Sequence, residues 1–130
     1  MKTCLIAEDN PLNWMIMQNQ ALKLGLQVVV CTNGLDALEY CQKNPLPELV
    51  LLDGYMPQMD GLEFLKAMRQ LPNGDKPYVV FCSSSLEQDD VVVVLDHGAE
   101  CHFPKPITRD QIDYAIKQVE QRYDTLKSVI

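Results

Sequence analysis

The chain has 130 residues, 47% of them hydrophobic, which is enough to bury one core and too little for two domains of ordinary size. Its formal charge is −7, with 18 acidic against 11 basic residues, and no Lys/Arg cluster offers the surface that binding a nucleic-acid backbone requires. Glu8-Asp9 arrives before a signal-peptide apolar region can form, no apolar run reaches membrane-spanning length, and five scattered cysteines (Cys4, Cys31, Cys41, Cys82, Cys101) lack metal or disulfide spacing, which predicts a reduced cytoplasmic protein without a membrane or nucleic-acid partner.

Short apolar runs alternate with longer segments of helical period, the pattern of βαβ units around a parallel sheet. The first run, Thr3–Ala7, predicts a strand ending at Glu8-Asp9. Pro11 suits a first helical position, because its missing N–H would have gone unpaired there, and the helix stops before Gly25. One stripe on this helix (Asn13, Ile16, Met17, Ala21, Leu24) suffices to cover a sheet, whereas Trp14, Met15 and Leu22 lie on other faces. Those three form an expected partner surface, with Trp14 packed under a neighbouring loop as the alternative.

A strand at Gln27–Cys31 and a helix from about Gly34 to the Asn44-Pro45 break follow. The third strand, Leu49–Leu52, delivers Asp53, and the third helix opens at Asp60, whose carboxylate caps it while Glu63 reaches back. Tyr78–Cys82 predicts the fourth strand, with Ser83 at its end. The next helix contains Val91-Val92-Val93-Val94, four β-branched residues that each cost up to ~0.7 kcal/mol relative to Ala. The βα alternation and the Asp96-His97-Gly98 stop still predict a helix there, held by packing rather than propensity. A short strand at Cys101–Phe103 precedes Lys105, and Thr108-Arg109-Asp110-Gln111 opens the last helix with a second capping box. Ile112, Ile116, Val119, Tyr123, Leu126 and Ile130 form a heptad-like seam on it. The second half of that seam outlasts a five-stranded sheet. Residues 122–130 are therefore expected to extend the helix beyond a domain spanning 1–121 and to meet a partner or a second copy, giving a possible homodimer.

The polar residues fall at strand ends, and in an open parallel α/β sheet ligands gather beyond the carboxyl ends of the strands. Glu8, Asp9, Asp53, Ser83 and Lys105 all stand there. Crowded carboxylates repel one another unless a hard cation takes their oxygens, which points to Mg²⁺. With the metal in place the Asp53 carboxylate can attack a phosphorus atom. The metal and Lys105 then neutralise charge on the transferred phosphoryl oxygens, and the Ser83 hydroxyl bonds the new phosphate. Taken singly, Glu8 and Asp9 read equally as a turn and cap, Lys105 as a solvated lysine and Ser83 as a strand-end hydroxyl. Their joint appearance at successive strand ends favours a site.

In Ile6-Ala7-Glu8-Asp9-Asn10-Pro11, Leu51 to Gly61, Ser83-Ser84, Gly98-Ala99 and Lys105-Pro106 the chain resembles the receiver domains of two-component response regulators, from Cys4 to about Gln121. The intervals of 44 residues from Asp9 to Asp53, 30 to Ser83 and 22 more to Lys105 are similar to the family's own. The resemblance implies an α/β fold of the flavodoxin-like kind, a doubly wound parallel sheet of five strands in the order 2-1-3-4-5 with five helices. It implies a stand-alone switch whose phospho-acceptor is Asp53, fed by a histidine kinase or a histidine phosphotransfer protein. Asp9, Asp53 and the backbone carbonyl of Tyr55 are then the Mg²⁺ ligands, with Glu8 helping through water. Ser83 and Lys105 hold the phosphoryl group, and Lys105–Pro106 is cis. Output is expected through a protein target on the face made by the fourth helix, fifth strand and fifth helix. The alternative is a phosphorelay shuttle that passes the phosphoryl group on. In either role the chain catalyses its own phosphorylation and slow autodephosphorylation rather than turning over a substrate.

Four departures from the family pattern carry information. Glu8 replaces the commoner Asp, and Ser83 the more usual Thr. Tyr55, two residues past the acceptor, is expected to shield the phosphoryl group from water. His102 stands where the family often has Tyr or Phe, and reads either as the switch residue or as a partly exposed histidine at a sheet edge. Two other classes fail on these residues. A Mg²⁺-dependent phosphohydrolase of the haloacid dehalogenase type needs an acid at the place of Tyr55. A flavodoxin-like cofactor binder needs a phosphate loop where Glu8-Asp9 repels phosphate.

Overall fold

The computed structural model describes residues 2–84 and 88–129, and for 88–90 and 124–129 the backbone course alone. Along the chain run β1 (Thr3–Ala7), α1 (Pro11–Lys23), β2 (Gln27–Cys31), α2 (Gly34–Lys43), β3 (Leu49–Asp53), α3 (Gly61–Arg69), β4 (Tyr78–Ser83), α4 (Gln88–Asp96), β5 (Cys101–Pro104) and α5 (Arg109–Val129). The strands pair in parallel in the order β2-β1-β3-β4-β5, as expected. β3, β4 and β5 each run one residue further than the apolar runs alone indicate, so Asp53 and Ser83 are the last residues of their strands.

Every residue of β3 and β4 is buried, because helices cover both faces of the sheet and a strand between them needs an apolar side chain at each position. The period of two divides them. Tyr78, Val80 and Cys82 join the core on the side of α1 and α5. Val79 and Phe81 join the core that Phe64, Leu65 and Val94 build on the side of α3 and α4. Ser83 continues the second face.

Short-range chemistry sets the helix starts. Asn10 and Asn33 accept the backbone N–H of Asn13 and Asp36, at 3.2 and 2.7 Å. Asp60 and Glu63 complete a reciprocal capping box at 2.9 and 3.2 Å, and Thr108 and Gln111 another at 3.2 and 3.0 Å. Gly25 and Gly98, at φ 86° and 109°, take the left-handed conformation that follows α1 and α4.

α1 is turned differently from the expected stripe. Met17 and Ala21 are buried, and Trp14 and Leu24 pack against the same core, so the inner face is Trp14-Met17-Ala21-Leu24. Trp14 is thus partly buried against the core rather than exposed. Ile16, placed in the inner stripe by sequence, is 39% exposed and shares the outer face with Leu12, Met15 and Leu22. Apolar residues occupy both faces, so periodicity alone had no phase to choose.

On α5, Ile112 and Val119 are buried and Ile116 and Tyr123 pack against them. The Leu126 side chain and Ile130 lie outside the described residues. At the edge of the sheet remote from Asp53, Glu100 accepts the backbone N–H of Val79 at 2.5 Å and pairs with Arg69 and Arg122, tying α3 and α5 to the start of β4. All five cysteines are free; Cys31 and Cys101 are only half-buried. No helix among the described residues is long and apolar enough to cross a membrane.

Candidate functional site

The carboxyl ends of β1, β3 and β4 converge on one acidic pocket. Glu8 follows β1 and keeps its strand direction by donating its backbone N–H to the Cys31 carbonyl at 3.0 Å. Its side chain has no exposed surface. One carboxylate oxygen accepts the Asn10 N–H at 3.1 Å, and the other lies 2.5 Å from the Lys105 ammonium. Lys105 also donates to Asp53 Oδ1 at 2.8 Å. Burial alone would lower the Lys105 pKa, but its hydrogen bonds and charge pairing with Asp53 and Glu8 together outweigh that and hold it above the ordinary lysine value. The ammonium is therefore a permanent positive charge between two carboxylates.

Asp9 stands at the exposed rim of the same pocket. One oxygen each from Glu8, Asp9 and Asp53 lies within 4.8 Å of the others. Three hard anionic oxygens at the rim and floor of one pocket fit Mg²⁺, which takes a few carboxylates and completes its octahedron with water and phosphate. Asp9, Asp53 and Glu8 would hold it. The structure adds that Glu8 is already engaged by Lys105 and Asn10, a pairing that sequence spacing gave no sign of.

The loop after Asp53 is tightly moored. Gly61 donates its N–H to the Gly54 carbonyl at 3.1 Å, and Gly34 donates to the Met59 carbonyl at 3.1 Å. A Cβ on Gly61 would strike the Asp53 carbonyl, and one on Gly34 the Met59 carbonyl, so glycine at both places lets the N-terminal ends of α2 and α3 close on the loop. Tyr55, on this loop, is 65% exposed. Tyr55 borders a cavity that Gly54, Phe81, Ser83, Val91 and Val94 also line. The Lys105–Pro106 peptide is cis.

Ser83 and His102 are joined. The Ser83 hydroxyl lies 3.0 Å from His102 Nε2 across the β4/β5 pairing. His102 sits in register with Phe81, their ring centroids 5.8 Å apart at 35°. The imidazole is half-buried, and burial lowers its pKa. This link depends on the β4/β5 register, which no local signal in the chain encodes. Cys82, next to Ser83, is fully buried and burial raises its thiol far above the ordinary range, so it contributes no thiolate here.

Comparison with known proteins places this geometry. The family model for the response regulator receiver domain matches residues 4–117. Sporulation initiation phosphotransferase F of Bacillus subtilis is 34% identical over 129 residues, 98% of each chain. The hybrid signal transduction protein dokA of Dictyostelium discoideum is 35% identical over 112 residues, which span 85% of this chain but 6% of that protein. Among solved structures, the receiver domain of a Pseudomonas aeruginosa sensor histidine kinase with a magnesium ion coordinated in its active site cleft superposes with a TM-score of 0.82. It shares 22% sequence identity, over 90% of this chain and 95% of that one.

Proposed function

The chain belongs to the response regulator receiver domains of two-component and phosphorelay signalling, and from that membership we propose that Asp53 accepts a phosphoryl group from a phosphohistidine donor. The observation that carries this reading is the Lys105 ammonium, 2.8 Å from Asp53 and 2.5 Å from Glu8 in a buried acidic pocket. In the transfer, an Asp53 oxygen forms a bond to phosphorus as the bond to the donor imidazole nitrogen breaks, and the donor, already protonated on its other ring nitrogen, leaves as a neutral imidazole. Lys105 is placed to follow the charge onto the phosphoryl oxygens. Ser83, at the end of the neighbouring strand, offers them a hydroxyl. Asp9 and Asp53, with Glu8 and the Tyr55 carbonyl alongside, would hold Mg²⁺, which would supply the positive charge that lets an anionic phosphoryl group approach carboxylates.

The donor, a histidine kinase or a histidine phosphotransfer protein in the cytoplasm, docks on α1, and the output is a protein contact on the face of α4, β5 and α5. A phosphorelay shuttle is the second reading, favoured by the match over 98% of both chains to a protein named as a phosphotransferase. Incubation with acetyl phosphate or phosphoramidate and Mg²⁺, followed by intact mass, tests the core of the proposal. One added phosphate that Asp53→Ala abolishes is expected, and no addition to the wild type overturns it. Transfer from Asp53 back to a phosphotransfer histidine separates the shuttle from the terminal switch.

A further inference from the structure

The Ser83 hydroxyl has one proton, and His102 Nε2, at 3.0 Å, and a phosphoryl oxygen on Asp53, if the phosphorylation reading above holds, are rival acceptors for it. It cannot donate to both. The contact with His102 survives phosphorylation only when Nε2 carries a proton of its own and donates into Ser83 Oγ. We propose that His102 is a positioning residue for Ser83, and that a phosphoryl group on Asp53 fixes the imidazole in the tautomer protonated at Nε2. A directed chain then runs from Nε2–H to Ser83 Oγ and from Oγ–H to the phosphoryl oxygen.

Three features of the fold support this. Ser83 and Phe81 share a face of β4 by the period of two, and His102 is the register partner of Phe81, so strand pairing itself brings hydroxyl and imidazole to the same side. Phe81 is 5% exposed and lies against Gly54, where a Cβ would come within 2.7 Å of its ring, so the surface under the imidazole is fixed. Burial also favours the neutral ring, which has one N–H to place and hence a real choice between nitrogens. A phenyl ring at this position could pack in the same way but could not orient the hydroxyl.

The test uses the intact chain labelled with ¹⁵N in its histidines, with beryllofluoride and Mg²⁺ as the phosphoryl mimic. There are two histidines, and the other, His97, directs Nδ1 at the Val93 carbonyl at 2.8 Å, which makes it an internal reference for the opposite tautomer. On adding the mimic, the proton is expected on Nε2 of His102, and Ser83→Ala is expected to abolish that response. His102→Phe should weaken beryllofluoride binding about five-fold, the worth of one hydrogen bond, and His102→Gln, which keeps a donor, should recover part of it. A proton on Nδ1 of His102 in the complex, or unchanged affinity in His102→Phe, overturns the inference while leaving Asp53 as the acceptor. Failure of the folded wild type to bind the mimic overturns both.

Discussion

The ammonium of Lys105 lies 2.5 Å from Oε1 of Glu8, a carboxylate with no exposed surface, and reaches Asp53 as well. Removing one partner of a buried pair leaves the other charge stranded, at a cost of about 3 kcal/mol. Lys105→Met is expected to lose about that much stability in EDTA. Urea unfolding with and without Mg²⁺ checks it: the gap to wild type should narrow with the metal, because a bound cation supplies the missing positive charge. A variant as stable as wild type in EDTA would show that the pair carries no net stabilisation.

Buried thiols give the protein an alkaline limit. Burial raises Cys4 and Cys41 from 9.0 to about 12. The unfolded chain sheds those protons from pH 9 upward and the folded chain does not, so their contribution to stability is complete below about 9. It is lost as pH rises to about 12, at about 1.4 kcal/mol per unit for each thiol. Lys105, also held above its ordinary value, adds to the loss in the same direction. Unfolding free energy measured from pH 8 to 11 should fall, and Cys4→Ala should flatten the slope. An unchanged slope in that variant would rule Cys4 out as a source.

The strand order came from the family resemblance, whereas the residues around Asp53 were legible because each strand end carries its own chemistry, Glu8-Asp9, Asp53 and Ser83, and the helix starts were legible because Asp60-Glu63 and Thr108-Gln111 are local patterns. Relations between strands were not. Ser83 meets His102 only because Phe81 and His102 pair, and register depends on packing across the sheet. The rotation of α1 was hidden for another reason: Leu12, Met15, Ile16 and Leu22 are as apolar as the inner face, so hydrophobicity could not say which side was inside.

Tyr55 stands two residues past Asp53 at the mouth of the cavity that Ser83 also lines. If Asp53 carries a phosphoryl group as proposed, a ring at this position would narrow the approach of water to it. Tyr55→Asn, which shortens the side chain and adds a polar group, is expected to speed autodephosphorylation on the order of ten-fold, about 1.4 kcal/mol of barrier. A phosphate-release time course from acetyl-phosphate-loaded protein gives the rate, and equal rates in the two proteins would refute the shielding role.

The outer face of α1 presents Leu12, Met15, Ile16 and Leu22, at 69, 53, 39 and 53% exposure, in a single stripe at helical spacing. Among the described residues, Trp14, Met17, Ala21 and Leu24 on the opposite face meet the core. The N-terminal end of the stripe, Leu12 and Met15, follows the Asn10 cap, two residues from Glu8, near the pocket that a donor histidine would enter under the proposed function. Apolar residues at such a position lower the free energy of a docked complex while leaving small-molecule phosphorylation untouched. Met15→Glu and Leu22→Glu are therefore expected to cut phosphotransfer from a protein donor by about ten-fold or more each, the equivalent of about 1.4 kcal/mol of docking. The rate with acetyl phosphate should stay at its wild-type value, because that reagent needs the pocket alone. Trp14→Ala should behave in the opposite way, destabilising the fold by about 3 kcal/mol with a smaller specific effect on transfer. If the two glutamate variants accept phosphate from the protein donor at the wild-type rate, the donor approaches by another face, and the stripe has to be explained by a different contact.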